Sequence, residues 1–311
     1  MIFMKHANFL KKINAWLRLV RIEHALLSAI GVLVGLMIAT KQGAAASLGT
    51  WAYALLVPIF INIGAFSLND YFDIEADKQN KRKRPLVQGE LGKNVAIYTA
   101  IAGLVIGSII GFLINFEAGI IALAFAILSA LYNWKLKDIA IAGNLFIAIS
   151  MAIAFVFGAV AAGQALAQAS GAIWILAIGA TFAGMGREIV KTVQDMEGDA
   201  KARGSKSLPH IIGEKNSLYL ASVCFLAFVI SLPFFVAETG MKIRYPGMAI
   251  PSLGWNIFSL GLLAICAFAF IAMAYMGAFG KGEGRLERIR RGSLIALAIA
   301  LGAILLAGIL G

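Results

Sequence analysis

TWAYALLVPIFINIGAFSLND, residues 50–70, runs directly into YFDIEAD, residues 71–77. The twenty positions from Thr50 to Asn69 carry no formal charge, which is about the length a helix needs to cross the hydrocarbon core of a bilayer. Asp70, Asp73 and Asp77 follow at the end of this run. Carboxylates at a membrane boundary are costly unless solvated, paired or metal-bound, so their presence there calls for a functional reason.

Comparable apolar stretches recur near 24–41, 94–114, 118–133, 141–162, 170–188, 216–236, 253–279 and 290–310. With 60% hydrophobic residues, only 14% charged ones and a mean hydropathy of +0.86, the 311-residue chain has too little polar surface for a water-soluble globule. The expected fold class is an all-α membrane protein with nine transmembrane helices in a bundle.

A net charge of +11 would also suit a nucleic-acid partner, but the placement of the basic residues points to membrane topology instead. With the N-terminus inside, 24 of the 27 Lys and Arg residues fall in cytoplasmic segments, and only Lys41, Lys242 and Arg244 fall outside. A multi-pass protein of the cell membrane is therefore expected, with no nucleic-acid partner. Both its acidic clusters, the one just quoted and Asp195-Met196-Glu197-Gly198-Asp199, then lie on the cytoplasmic side.

Residues 1–23 lack the compact apolar run of a cleavable signal peptide. Phe9, Ile13, Trp16, Leu17 and Val20 recur at helical spacing opposite Lys11, Lys12 and Arg18. This is the pattern of a helix lying along an anionic surface, and equally of a basic flank to the first span. Cys224 and Cys266 lie inside apolar segments without a C-x-x-C partner, and His6, His24 and His210 are scattered. Neither a disulfide framework nor a zinc site is indicated.

The segments after the second and sixth spans resemble one another: an acidic cluster, basic residues, a proline (Pro85, Pro209), then Gly-Glu and Lys-Asn before the next span. This pattern predicts one domain over 1–311 with pseudo-repeat halves near 24–133 and 141–279 and an appended helix at 290–310. Gly31, Gly35, Gly103, Gly107, Gly111, Gly158 and Gly163 are expected to let helices pack closely.

If the second span continues as a helix, about 100° per residue places Asn69, Asp70, Asp73 and Asp77 within an arc of about 100°. On the sixth, Glu188, Lys191, Asp195 and Asp199 fall within about 80°, with Glu197 pointing away. Hard carboxylate oxygens without His or Cys suit Mg²⁺ or Mn²⁺, and Mg²⁺ takes one or two protein carboxylates and completes its shell with water and phosphate. Two facing clusters would hold a diphosphate through bridging metals. Arg82, Arg84, Lys135, Lys137, Arg187 and Lys191 are placed to neutralise the remaining phosphate charge. Tyr132 ends the fourth span, where a tyrosine also serves as an interface anchor.

Asn69-Asp70-Tyr71-Phe72-Asp73-x-x-x-Asp77 with Arg84-Pro85-Leu86, and Asp195-Met196-Glu197-Gly198-Asp199, resemble the two signatures of UbiA-type intramembrane prenyltransferases. The resemblance implies nine helices around a central lipid-open cavity, with a cytoplasmic cap where Mg²⁺, two ions in all, holds a prenyl diphosphate. By the motif match, Asn69, Asp73 and Asp77 form one metal set and Asp195 and Asp199 the other, with the neighbouring acid Asp70 also counted among the metal-site residues. The four aspartates Asp73, Asp77, Asp195 and Asp199 are the catalytic candidates.

Arg21 matches the arginine that opens the family's first span, although Ile22 and His24 stand where proline and asparagine are usual. Tyr132 and Lys137, or Lys135 in its place, resemble the family's Tyr and Lys after the fourth helix. The run from Arg187 to Asp199 and the loop Asp77-Lys78-x-Asn80 are similar to the digeranylgeranylglyceryl phosphate synthases of that superfamily. That resemblance implies transfer of a geranylgeranyl group from its diphosphate to a lipid phosphate acceptor, geranylgeranylglyceryl phosphate. A prenyltransferase acting on an aromatic or quinone-precursor acceptor is the alternative. A further alternative is an ion-coupled transporter, although the acids sit at span ends rather than at mid-membrane.

Overall fold

The computed structural model describes residues 2–204, 206–240 and 253–310. Lys242 and Arg244, two of the three external cations, lie outside the described residues. The chain forms twelve α-helices there: α1 (Ile2–Val20), α2 (Ile22–Lys41), α3 (Leu48–Phe72), α4 (Ile74–Gln79), α5 (Lys93–Ile114), α6 (Phe116–Trp134), α7 (Ala140–Ala161), α8 (Gly171–Arg203), α9 (Leu208–Ile212), α10 (Glu214–Gly240), α11 (Ile257–Phe279) and α12 (Arg285–Leu310). Among the described residues nine are long and apolar enough to cross a membrane, all except α1, α4 and α9. The nine-span expectation is met.

Helix ends follow from local capping chemistry. Ser47, Asn115 and Ser170 each accept a backbone N–H three residues on, from Thr50, Ala118 and Ile173. The eighth span, expected from 253, starts at Ile257 instead, because Asn256 and Ser259 close a reciprocal capping box. The sixth, expected over 170–188, runs as α8 to Arg203 without interruption. This extension carries the second acidic cluster clear of the apolar region.

Large apolar side chains such as Tyr98, Ile109, Phe268 and Ile295 face outward, while alanine and glycine fill the centre. Lipid is as apolar as leucine, so close backbone approach drives such packing. It is tightest between α2 and α7. A Cβ on Gly35 would lie 2.0 Å from the Phe155 carbonyl oxygen, and one on Gly158 would lie 2.2 Å from that of Val32. Gly163, expected to act the same way, instead takes φ +90° in the turn after α7, with nothing near its missing side chain.

α1 is a separate helix, cut from α2 by Arg21 in the left-handed region (φ 47°, ψ 57°). It buries Ala15, Leu19 and Val20, and the Trp16 indole N–H donates to Thr99 Oγ1 at 3.2 Å. Phe9, Leu10, Ile13 and Leu17 form its exposed apolar row. The lipid-facing stripe expected from the sequence is thus rotated, and Val20 leaves it for the core.

Candidate active site

The first acidic cluster does not lie on one continuous helix as expected. α3 closes at Phe72, Asp73 takes a non-helical φ of −95° and ψ of 6°, and α4 restarts at Ile74. Asp73 consequently stands at a corner where it meets groups from two directions. Its Oδ2 accepts from Asn69 Nδ2 at 2.9 Å, and its Oδ1 accepts from Lys137 Nζ at 2.5 Å. Lys137 sits in the short turn after α6 with a side chain only 6% exposed, whereas Lys135 faces solvent. Of the two lysines, Lys137 belongs to the cluster. Asn69 also donates to Asn133 Oδ1 at 2.9 Å, which ties α3 to α6.

Asp70 stands apart from its neighbours. Its side chain is completely buried, its Oδ1 accepts from Arg21 Nη2 at 2.5 Å, and Arg84 Nε lies 3.9 Å away. It does not line the pocket its neighbours share. Expected beside the metal ligands, it is the counter-ion that positions Arg21. Arg21 also donates to Asn69 Oδ1 at 3.2 Å and stacks its guanidinium 4.7 Å above the Phe66 ring. A left-handed non-glycine residue costs on the order of 1–3 kcal/mol and persists where its surroundings hold it, as the contacts to Asp70, Asn69 and Phe66 do here.

The loop after α4 delivers the remaining contacts. Lys81 takes a left-handed turn (φ 52°), and the next residue, Arg82, pairs with Asp195 on α8. Asn80 Nδ2 donates to Asp199 Oδ1 at 2.9 Å. Gly198 makes this approach possible, since a Cβ there would lie 2.0 Å from Asn80 Oδ1. Arg84 Nε lies 3.8 Å from Asp77 Oδ2. Burial nevertheless pushes the Asp77 carboxyl up to about 6: Arg84 draws it down, and nearby Asp70 and Asp73 push it further up. Burial in turn lowers the Arg84 guanidinium, with Arg21 adding to the effect.

These side chains enclose a polar pocket of about 80 Å³ lined by Asn69, Asp73 and Asp77 on one side and Asp195 and Asp199 on the other. Arg21, Arg82, Arg84, Tyr132, Lys137, Lys191 and Arg290 line it as well. Below it opens a largely apolar cavity of about 420 Å³ between α2, α3, α6, α7, α8, α10 and α12. Arg21, Asn69, Arg84, Tyr132, Lys191 and Arg290 line both, so the two spaces meet there. Tyr132 stacks on Phe146 at this junction, with ring centroids 5.1 Å apart. Arg187 lines only the apolar cavity.

Among the described residues no three His, Cys, Asp or Glu side chains converge into a closed metal cage. A hard cation that takes few protein ligands and several phosphate or water oxygens fits the site. The donors are carboxylate and amide oxygens, the ligand type such a cation takes.

Sequence reasoning assigned no role to Asn80, Asn133, Glu188 or Arg290. Glu188 is buried, 2.8 Å from Arg187 Nη1 and 3.3 Å from Lys191 Nζ. Its register on the face of Lys191, Asp195 and Asp199 was the available signal. Arg290 gave none, being one basic residue among five in a segment that topology already explained.

The UbiA prenyltransferase family model matches residues 28–279. A digeranylgeranylglyceryl phosphate synthase of Archaeoglobus fulgidus is 31% identical over 289 residues, covering 91% of each chain. A solved structure concerned with digeranylgeranylglyceryl phosphate synthase in membranes superposes with a TM-score of 0.68 at 29% identity, covering 96% of this chain and 99% of that one. A UbiA homologue from Archaeoglobus fulgidus, solved bound to GPP and Mg²⁺, shares the fold at 20% identity and a TM-score of 0.59, covering 93% of this chain and 99% of that one.

Proposed function

The chain belongs to the UbiA prenyltransferase family, and on that premise we propose that it transfers a geranylgeranyl group from geranylgeranyl diphosphate to geranylgeranylglyceryl phosphate. The similarity to the Archaeoglobus fulgidus synthase supports the choice of both substrates. One observation carries the reading: a polar pocket walled by two opposed acidic clusters opens directly onto an apolar cavity. That is the shape of a diphosphate head with an isoprenoid tail. The site faces the cytoplasm of a cell membrane in this reading, with the N-terminus inside, and 1–311 acts as one domain.

Asn69, Asp73 and Asp77 would hold one Mg²⁺ ion and Asp195 and Asp199 a second, neutralising charge on the leaving diphosphate. Arg82 and Lys137, paired with Asp195 and Asp73 in this state, turn to phosphate oxygens when the donor arrives. Arg84 and Lys191 add to this electrostatic clamp, and Arg21 is held toward it by Asp70. As the allylic C–O bond breaks, its electron pair leaves with the diphosphate. The carbocation then lies below the clamp among apolar walls that exclude water, near the Tyr132–Phe146 stack whose faces favour positive charge. The glycerol hydroxyl oxygen forms the new C–O bond, and its proton passes to the departed diphosphate.

The deciding experiment incubates purified protein with geranylgeranyl diphosphate, Mg²⁺ and either geranylgeranylglyceryl phosphate or an aromatic acid, with products read by mass spectrometry. The expected product is the diether lipid phosphate. Product formed only from the aromatic acid overturns the acceptor assignment and leaves the donor half standing.

A further inference from the structure

Arg290, Leu294, Leu297, Leu301 and Ile304 line the large cavity from α12. Their spacing of four, three, four and three residues puts all five on one helical face. This face is cationic at one end and apolar for the rest. Arg187 and Lys191 on α8 and Arg291 on α12 join Arg290 around the same cavity. The carboxylates paired with this group are Glu188, which takes Arg187 and Lys191, and Glu287, which takes Arg290 and Arg291. With Lys191 shared with the donor clamp, Arg187, Arg290 and Arg291 stand against Glu188 and Glu287, which leaves net positive charge beside an apolar wall. The buried Arg187 Nε makes no hydrogen bond to any protein group.

Arg187 stands apart from the donor clamp, whereas Lys191 and Arg290 line the polar pocket as well as the apolar cavity. Arg187 precedes Asp195 by eight residues, about 12 Å along α8 at 1.5 Å per residue, and it faces only the apolar cavity. Arg290 is 21% exposed and held by one 2.7 Å bond to Glu287. Glu287 also accepts from Arg291 Nε and from Gln194 Nε2, so Arg290 can turn away without stranding it.

We infer that Arg290 and Arg187 form a subsite for the phosphate monoester of the acceptor, with the α12 stripe below it receiving the acceptor's chain. This rests on the acceptor proposed above and gives that acceptor its specificity determinant. Guanidinium forks suit phosphate oxygens, and the surplus positive charge favours a phosphate monoester over a neutral headgroup. An acceptor without phosphate leaves that charge without a partner.

The test measures KM for geranylgeranyl diphosphate and for the acceptor in wild type, R290Q, R187Q and R290K, with R288Q, an exposed arginine outside both cavities, as the charge-matched control. Geranylgeranylglycerol, which lacks the phosphate, serves as a second acceptor. R187Q is expected to raise KM for geranylgeranylglyceryl phosphate by about tenfold or more, with donor KM unchanged and the preference over geranylgeranylglycerol reduced. R290Q should raise acceptor KM in the same direction, R290K should recover part of that loss, and R288Q should match wild type. Acceptor KM unchanged in both R290Q and R187Q, or a parallel rise in donor KM in R187Q, overturns the inference alone. Absence of wild-type turnover with geranylgeranylglyceryl phosphate overturns the acceptor assignment, and the inference falls with it.

Discussion

Asn80 donates its carboxamide N–H to Asp199 Oδ1 at 2.9 Å, joining residues 119 positions apart and closing the loop after α4 onto the end of α8. Gly198 leaves the space in which the amide lies. The contact fixes the distance between the two acidic clusters, and a substrate bridging them depends on that distance. Asn80→Ala should therefore lower kcat by about tenfold, the scale of one lost charge-assisted hydrogen bond, with little change in thermal unfolding. Gly198→Ala should cost more, because its Cβ forces the loop outward. Steady-state rates of both variants in detergent check this.

Asp73 and Asp195 approach the same polar pocket from α3 and α8. Replacing either with Ala should abolish prenyl transfer while the protein still extracts and elutes as a single species. Retained turnover in either variant would sink the diphosphate site.

Chelation should act in the same way. Treatment with EDTA should stop turnover by the wild-type protein, and added Mg²⁺ should restore it. Full activity in excess chelator, followed as diphosphate release, would count against a metal-assisted site.

The buried Asp70 should answer to a different measurement. Asp70→Ala leaves the Arg21 guanidinium, 14% exposed, without its carboxylate, and breaking one side of a buried pair costs about 3–5 kcal/mol. Its thermal midpoint should fall well below that of Asp73→Asn. Equal midpoints for the two variants would show that Asp70 is not the structural member of the cluster.

Close helix contact gives a further prediction. Gly158→Ala sets a methyl group against the Val32 carbonyl, and overpacking of this kind costs about 1–3 kcal/mol. Lower thermal stability with donor KM intact is the expected result, since Gly158 lines neither cavity.

Much of the fold was legible because its signals are local. Twenty uncharged residues before Asp70 mark a span wherever they occur. The break at Asp73 was not legible. Ile74 to Gln79 do form a helix, as periodicity predicts, and the single non-helical residue before them leaves no trace in composition. The choice between Lys135 and Lys137 was equally hidden, because both follow α6 within one turn and only packing against α3 separates them.

By itself the sequence determined that this is a nine-span helical membrane protein carrying two acidic motifs suited to a metal-bound diphosphate. Hydropathy, charge placement and motif spacing are properties of short segments, and they survive without coordinates. The tertiary structure alone decided which acid meets which partner. It withdrew Asp70 from the pocket to hold Arg21, paired Asp73 with Lys137, and brought Arg290 from the last helix to the cavity beside Arg187. Those pairings join residues tens to more than a hundred positions apart. Helix packing sets them, through contacts such as Gly35 on Phe155, and no single segment encodes which distant side chain it will meet.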